Sequence, residues 1–156
     1  MDEKTNVMRL LDQKRVAYKS HNYVGTGAVS GMEVAAVLGQ EPARVFKTLV
    51  AVGKSGGHYV FIVPVTREFD LKKAAKSVGE KSVEMIKSKE LLSLTGYIHG
   101  GCSPIGMKKQ LTTTLDVSAE TLESICISAG KIGCQVELSP QDLRRVIPCN
   151  MAELCT

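Results

Sequence analysis

The strongest structural constraint in this sequence is a pair of apolar runs, VFKTLVAV and HYVFIVPV, that flank the turn at residues 53–57. Two runs rich in β-branched residues, separated by a short glycine-containing segment, are typical of a β-hairpin. The first run is apolar at both alternating sets of positions, so both of its faces carry apolar side chains. The sequence therefore predicts a hairpin with one strand that is apolar on both faces.

Helical spacing and capping residues predict five helices around this hairpin. Ser30 and Glu33 form a capping box at the start of one of them. The predicted helices are Thr5–Arg15, residues 31–39, Leu71–Val78, a helix capped by Ser88 that runs to Leu94, and a last helix opened by Ser139 and Pro140. Further strands are predicted at Ala17–His21 and in SVEMIK, LTTTLDV, SICIS and CQVEL. Helices and hairpins in one chain indicate an α+β fold.

Composition limits the class of protein. The chain has 156 residues, 44% of them hydrophobic, which fits one domain over residues 1–156. The charged N-terminal stretch has no apolar run long enough for a signal peptide or a membrane span, so we interpret the protein as cytoplasmic. Five cysteines without a CxxC pair are expected to be free thiols. A net charge of +4 is compatible with an anionic partner.

Lys47 is unusual because it lies inside the apolar run VFKTLVAV. Burying an unpaired ammonium group is costly, so this side chain needs a path to solvent or an anionic partner. Two interpretations stay open. Either the side chain reaches solvent past an edge of the sheet, or it is a cation directed into a ligand cleft.

The segment GGCSPIGMKK, residues 100–109, contains three glycines and a proline within its first seven positions. Glycine allows close approach of a ligand to the backbone, and consecutive N–H groups bind anions or a developing oxyanion. Composition alone favours a tight structural connection. His99 and Cys102 have the spacing of half a metal site, but no second pair of ligands is evident, so no metal and no cofactor is expected.

Four ordered motifs, RVFKTLV, FDLKKAAKSVGEKSVEM, GGCSPIGMKK and ISAGKIGCQVELSPQDL, resemble the YbaK/EbsC family, free-standing relatives of the prolyl-tRNA synthetase editing domain. The resemblance extends from Leu10 to Arg145. It implies a mixed, mainly antiparallel, partly barrel-like sheet flanked by helices. It also implies a trans-editing hydrolase for mischarged tRNA, above all Cys-tRNA(Pro), with prolyl-tRNA synthetase as partner and no membrane association. Activity on Cys-tRNA(Cys) stays open.

The resemblance also implies roles for individual positions. Lys47, in the family's FKT motif, would hold the terminal phosphate or polarise the ester. The backbone N–H groups of the loop that contains the catalytic position Gly101 would line the site of the ester carbonyl. The implied substrate-binding positions are Tyr23, Ser30, Thr48, Gly100, Ser103, Ser128, Gly130 and Gln135. Some family members carry Phe where Ser30 aligns and Asp where Gln135 aligns.

The sequence contains no recognisable nucleophile motif. In the resembled family the thiol of the substrate cysteine is thought to attack its own ester, so the protein needs only to position the substrate and stabilise the oxyanion. Cys102 is therefore not assigned as a nucleophile. Two alternatives remain: a non-catalytic module that binds aminoacyl-tRNA or a synthetase, favoured by Ser30 and Gln135, and a thiol-redox role for the cysteines. The lysines at 72, 73, 76 and 81 would either contact tRNA phosphates or form a solvated face.

Overall fold

The predicted hairpin is present and forms the centre of a five-stranded sheet. The computed structural model describes residues 4–156, so the first three residues of the charged N-terminal stretch lie outside it. The strands are β1 Lys19–Asn22, β2 Phe46–Gly53, β3 His58–Pro64, β4 Val83–Met85, β5 Thr112–Asp116, β6 Ile125–Ser128, β7 Cys134–Leu138 and β8 Asn150–Ala152. The helices are α1 Asn6–Gln13, α2 Gly31–Leu38, α3 Leu71–Ser77, α4 Ser88–Thr95 and α5 Pro140–Val146. Short 3-10 helices cover Pro42–Arg44 and Val117–Thr121.

The strands form two sheets. The larger has the order β4-β2-β3-β5-β8 and the smaller the order β1-β7-β6. Four of the pairings are antiparallel, whereas β3–β5 and β5–β8 are parallel. The predicted α+β class with a mixed, mainly antiparallel arrangement is confirmed. In the described part of the chain the strands belong to two sheets that do not close into a barrel.

Strand β2 is apolar on both faces because both of its faces are covered. Phe46 and Val50 contribute to a core that combines residues of both sheets with α1, α4 and α5. Ala51, on the other face, packs with Phe61 and Val63 of β3 in a second core that also contains α3. Burial of such side chains is the main favourable contribution to folding.

The two sheets meet beside the start of β2. Val45, which precedes that strand, forms a parallel bridge with Cys126 of β6. Both residues are buried and pack with Ala35 of α2 and the side chain of Val65. This contact holds α2, β2 and the smaller sheet together at the place where the cavity described below opens.

Most helix ends carry the predicted caps. The Ser30 hydroxyl accepts a hydrogen bond from the Glu33 amide, and the Glu33 carboxylate accepts one from the Ser30 amide. Gly39 ends α2 in the left-handed conformation that glycine favours. The prediction that Ser88 caps α4 is wrong, because Ser88 is the first helical residue. Lys87 occupies the cap position without a side-chain hydrogen bond.

Several elements differ from the prediction: the two 3-10 helices and strand β8 were not predicted, and α1 and β1 have other bounds than predicted. Strand β8 was missed because Asn150–Ala152 is three residues long and does not show the strand pattern on its own. It forms only where it pairs with Thr114–Asp116 of β5. Strand β1 begins and ends slightly later in the chain than predicted. None of the helices in residues 4–156 has the length and apolar character needed to cross a lipid bilayer.

Candidate functional site

A cavity of about 430 Å³ lies between α2, β2, the β4–α4 segment, the start of the glycine-rich loop and the smaller sheet. Most of its wall is apolar, with Val34, Val45, Phe46, Val50 and Leu91 among the lining residues. Polar groups reach it from several separate elements. A concave, mainly apolar site with a few converging polar groups is typical of a small-molecule or substrate-end site.

Seven of the ten predicted site positions line this cavity. They are Tyr23, Ser30, Lys47, Thr48, Gly100, Ser128 and Gln135. These residues come from the segment after β1, the cap of α2, strand β2, the glycine-rich loop, and strands β6 and β7. Gly101, Ser103 and Gly130 do not line it.

Lys47 lies in the cavity wall and is exposed to solvent. It is the only Lys, Arg, Asp or Glu among the described lining residues. Within residues 4–156 its ammonium group makes no ion pair and no hydrogen bond. The exposed side chain therefore reaches solvent, as in the first of the two interpretations given above, and it belongs to the cavity lining, as the second requires.

Thr48 follows Lys47 and carries an unusual polar atom. Its Oγ1 is buried and has no hydrogen-bond partner among the described residues. Leaving a buried hydroxyl unpaired costs free energy. Because Thr48 lines the cavity, a bound ligand is one way to supply the missing partner.

The glycine-rich loop begins with a tight turn. The Gly101 amide donates a hydrogen bond to the Ile98 carbonyl oxygen over 3.0 Å. Gly100, at the third position of this turn, has a φ of 90°, a value that strongly favours glycine. A Cβ on Gly101 would lie 3.1 to 3.2 Å from backbone atoms of Lys131 and Ile132. In this geometry the Gly101 N–H is engaged by the Ile98 carbonyl oxygen, and its role as an oxyanion donor stays a prediction.

Two neighbouring amides remain available. Gly100 and Cys102 both line the cavity, and their backbone N–H groups have no acceptor in the described part of the chain. A pair of backbone N–H groups directed at one position is the usual form of an oxyanion site. Of the predicted loop positions, Gly100 is thus a candidate donor, and Cys102 is a further one.

Ser103 and Gly130 have structural roles beside the cavity. Ser103 is fully buried, and its hydroxyl accepts a hydrogen bond from the Ile105 amide over 3.3 Å. The Gly130 amide donates to the Ser128 hydroxyl over 3.1 Å, which fixes the position of a lining side chain. Gly130 has a φ of 97°. Neither residue lines the cavity in this structure, so their contact with substrate stays a prediction.

Cys102 lines the cavity but is not suited to be a nucleophile. Burial raises the pKa of its thiol to about 12, and a hydrogen bond with Thr95 opposes this only in part. The thiol is therefore protonated at neutral pH. Burial likewise raises the pKa of Cys126 to about 12 and that of Cys155 to about 11. All five cysteines are unpaired, as predicted.

Gln135 is 4% exposed and faces the cavity from β7. Its side-chain Oε1 accepts a hydrogen bond from Gln40 Nε2 over 2.7 Å. Gln40 follows the end of α2, and its backbone amide donates to the Ala35 carbonyl oxygen. No sequence pattern indicates Gln40, because a single glutamine after a helix has no characteristic pattern.

One group of side chains could offer donor atoms to a metal ion. The ligand atoms of His21, Cys126 and Glu137 lie within 4.8 Å of one another. In this structure His21 Nε2 is instead paired with Glu137 Oε1 at 2.8 Å, and Glu137 Oε2 accepts a hydrogen bond from Ser124. This group stands next to Gln135 on the smaller sheet and does not line the cavity. It does not include His99 and Cys102.

The basic residues near α3 lie mainly in solvent. Lys72, Lys76 and Lys81 are exposed. Lys73 is partly buried, and its ammonium group donates to the Cys155 carbonyl oxygen over 2.9 Å. One of the four lysines therefore binds the C-terminal segment of the chain.

Comparison with known proteins places the chain among editing domains. Residues 27–146 match the family model described as the aminoacyl-tRNA editing domain. A protein of Enterococcus faecalis, named as a candidate Cys-tRNA(Pro)/Cys-tRNA(Cys) deacylase, EbsC, is 46% identical over 99% of this chain and 94% of its own length. A proline–tRNA ligase of Pelobacter propionicus is 27% identical over 64% of this chain, which corresponds to 17% of the ligase.

Solved structures share the fold. One described as a candidate trans-editing enzyme for prolyl tRNA synthetase superposes with a TM-score of 0.85 at 24% identity, over 99% of both chains. Another, from work on grafting epitopes onto scaffold proteins, has a TM-score of 0.82 at 24% identity over 96% of this chain and 94% of its own. At this level of identity the likeness concerns the fold.

Proposed function

Because the chain belongs to the aminoacyl-tRNA editing domain family, we propose that it deacylates mischarged tRNA in trans, with Cys-tRNA(Pro) as its main substrate and Cys-tRNA(Cys) as a second one. Cysteine and proline are similar in size, so a synthetase pocket cannot separate them by steric exclusion alone. A second site that removes the wrong amino acid meets that need. We further propose that residues 1–156 form one editing domain and that the synthetase partner is prolyl-tRNA synthetase.

The observation that carries this proposal is the cavity itself. One exposed cation, Lys47, lies in a largely apolar wall. The same wall contains Thr48, whose buried hydroxyl has no partner among the described residues, and Gly100 and Cys102, whose backbone N–H groups have no acceptor there. The apolar wall suits a small amino-acid side chain. The cation suits the terminal phosphate or the ester carbonyl, since a lysine acts as a point charge.

In the proposed reaction the substrate supplies its own nucleophile. The cysteinyl thiolate sulfur bonds to its ester carbonyl carbon, and the bond from that carbon to the ribose oxygen breaks. The ribose oxygen takes the proton that the thiol lost, and cysteine leaves as a thiolactone. Lys47 and the N–H groups of Gly100 and Cys102 stabilise the oxyanion formed between these steps.

The direct test is the rate of ester cleavage. Cys-tRNA(Pro), Ala-tRNA(Pro) and Ser-tRNA(Pro) are incubated with the wild type and with Lys47→Ala, and the released product is trapped and identified. We expect rapid release of cysteine as its thiolactone, slow release of the other two amino acids, and about a 100-fold lower rate with Lys47→Ala, the usual size for loss of one charge-stabilising group.

Lys54→Ala is the matched control because Lys54 is an exposed lysine in the hairpin turn, away from the cavity. It should retain the wild-type rate. No acceleration over buffer for any ester would contradict the proposal. Equal rates for Lys47→Ala and Lys54→Ala would remove Lys47 from the mechanism.

A second candidate function is a non-catalytic module that binds aminoacyl-tRNA ends. It is favoured by the neutral side chain of Gln135 at a position where some family members carry Asp. The same incubation separates the two functions, because a binding module would lengthen the lifetime of the ester and a deacylase would shorten it.

A further inference from the structure

Gln135, which lines the cavity, and Gln40, which does not, form a largely buried amide pair. Gln40 Nε2 donates to Gln135 Oε1, and Gln40 Oε1 is buried with no partner in residues 4–156. The backbone of Gln40 is fixed by its hydrogen bond to the end of α2. Each amide is therefore held in place by a different element, and the orientation of one sets that of the other.

This pairing determines which atoms Gln135 presents to the cavity. If both amides were rotated, Gln135 would donate to Gln40, and the Gln40 NH₂ group would be left buried without an acceptor. Buried N–H groups without a partner are rarer than under-satisfied carbonyl oxygens. The observed arrangement is thus the stable one, and it leaves the two N–H groups of the Gln135 amide for the cavity.

The cavity also lacks an anion. Among the described lining residues there is no Asp and no Glu, and the titratable ones are Tyr23, Lys47, His99 and Cys102. The nearest carboxylate along β7 is that of Glu137, which His21 and Ser124 already bind at 2.8 and 2.6 Å. A substrate ammonium group would therefore lose its hydration, face Lys47 and find no counter-ion.

We propose, on the basis of the proposed function, that the cavity binds the aminoacyl ester with its α-nitrogen uncharged, and that Gln135, oriented by Gln40, determines this preference. The ligands that fit are the free-base form of an aminoacyl ester and an ester with an acylated α-nitrogen. The acyl oxygen of the second class accepts a hydrogen bond from the Gln135 amide. Gln40 is a positioning residue in this scheme.

Binding of two hydrolysis-resistant analogues tests this inference independently of turnover. One is adenosine that carries cysteine in a 3′-amide linkage, and the other is its N-acetyl derivative. Calorimetry from about pH 5.5 to about pH 8.5 spans the pKa of a peptide α-amino group, which is near 8. We expect the Kd of the free-amine analogue to rise about tenfold for each pH unit below the pKa of its amine, and that of the acetyl analogue to stay constant.

The acetyl analogue is also the internal control. It contains the same adenosine, so titration of a protein group in the cavity would change both curves together. A free-amine analogue that binds as tightly at low pH as at high pH would overturn the inference. So would a failure of the acetyl analogue to bind while the free amine binds. These results use the wild type, so they do not depend on any variant folding.

Two substitutions test the residues. Gln135→Glu keeps the hydrogen bond from Gln40 and places a carboxylate at the cavity. This variant should therefore bind the free-amine analogue in its charged form at low pH. It should bind the acetyl analogue at least tenfold more weakly than the wild type does. In Gln40→Glu the new carboxylate accepts a hydrogen bond from the Gln135 amide and turns the Gln135 oxygen toward the cavity. The pH profile of binding should move in the same direction as for Gln135→Glu, although no lining residue has changed. Gln40→Met, which fixes neither orientation, should give an intermediate profile.

Failure of this inference and failure of the proposed function give different results. If cysteine is released from tRNA but the two analogues show the same pH dependence, the function stands and the role of Gln135 is wrong. If the analogues behave as expected but no ester is cleaved, the inference describes a binding site without deacylase activity. A Gln40→Glu profile identical to that of the wild type would exclude Gln40 as the positioning residue.

Discussion

Thr48 and Thr114 each carry a buried hydroxyl without a hydrogen-bond partner in the described structure. Thr48 lines the cavity, whereas Thr114 lies in β5 and does not. The two residues share the same chemistry in different places. They therefore provide a matched pair for separating a ligand contact from a structural effect.

We predict that Thr48→Val and Thr114→Val both leave the free energy of unfolding unchanged or raise it by about 1 kcal/mol, because each removes an unpaired buried hydroxyl. Only Thr48→Val should lower the rate of deacylation or weaken analogue binding. Chemical denaturation and the deacylation assay measure the two quantities. An equal loss of activity in both variants would mean that the hydroxyl of Thr48 does not contact the substrate.

The turn at residues 98–101 shows how backbone geometry forms part of the cavity wall. Gly100 and Gly56 have similar φ values, 90° and 93°. A Cβ on Gly56 would have open space around it, and one on Gly100 would make only ordinary contact with Ile132. The conformational cost of alanine is therefore similar at both sites.

Gly100→Ala and Gly56→Ala should each destabilise the protein by about 1 to 2 kcal/mol, the cost of a left-handed conformation for a residue with a Cβ. Deacylation should fall only in Gly100→Ala, because that turn lines the cavity and the Gly56 turn belongs to the β2–β3 hairpin. Thermal unfolding and initial rates give the comparison. Normal activity in Gly100→Ala would argue against a role for this turn in the site.

Ser30 combines two roles at the start of α2. It forms the capping box with Glu33, and it lines the cavity. The hydrogen bonds from Ser30, with the backbone amide as the largest cause, lower the pKa of the Glu33 carboxyl. The stability and activity of variants at this position therefore need to be measured separately.

Ser30→Ala should lower the free energy of unfolding by about 1 kcal/mol, as is usual for loss of an N-cap. Ser30→Asp retains a capping oxygen and should restore most of that stability. If Ser30 is only a cap, both variants will cleave Cys-tRNA(Pro) at the wild-type rate. A loss of activity in the stable Ser30→Asp variant would show that its side chain also contacts the substrate.

At the scale of the whole molecule, one carboxylate of the smaller sheet connects polar side chains from other parts of the chain. Glu137 of β7 accepts hydrogen bonds from Ser124 and pairs with His21 of β1. Arg44, beside β2, donates to the Ser124 hydroxyl over 3.2 Å. These groups link three separate segments through polar contacts outside the apolar cores.

The hydrogen bond from Ser124 is the largest cause that lowers the pKa of the Glu137 carboxyl from 4.5. A pKa that is lower in the folded than in the unfolded state contributes stability that is complete above the unfolded value and is lost as pH falls through the folded one. We predict that the free energy of unfolding decreases as pH falls below about 4.5, and that Glu137→Gln reduces this slope. Urea denaturation across this range measures it.

Glu123→Gln is the matched control for that measurement. Glu123 is exposed and makes no hydrogen bond within residues 4–156. Its variant should keep the wild-type slope. If Glu137→Gln and Glu123→Gln give the same dependence on pH, the contacts of Glu137 contribute nothing to stability in acid.

The sequence by itself determined the local structure. The β2–β3 hairpin, the capping box of α2 and the glycine ends of α2 and α4 follow from side-chain periodicity and backbone preferences that act within a few residues. Lys47 was recognisable from the same side-chain pattern, because it is a charged residue within an apolar strand. The four motifs also sufficed to indicate the family.

The tertiary structure decided what depends on residues far apart in the chain. Gln40 and Gln135 are 95 positions apart and meet only because α2 packs beside the smaller sheet. The Gly101 amide proved to be engaged by Ile98, which no composition reveals. Strand β8 forms only against β5. Hydrogen-bond partners and the sign of charge in a cavity are set by side chains from separate elements, so only the packed molecule determines them.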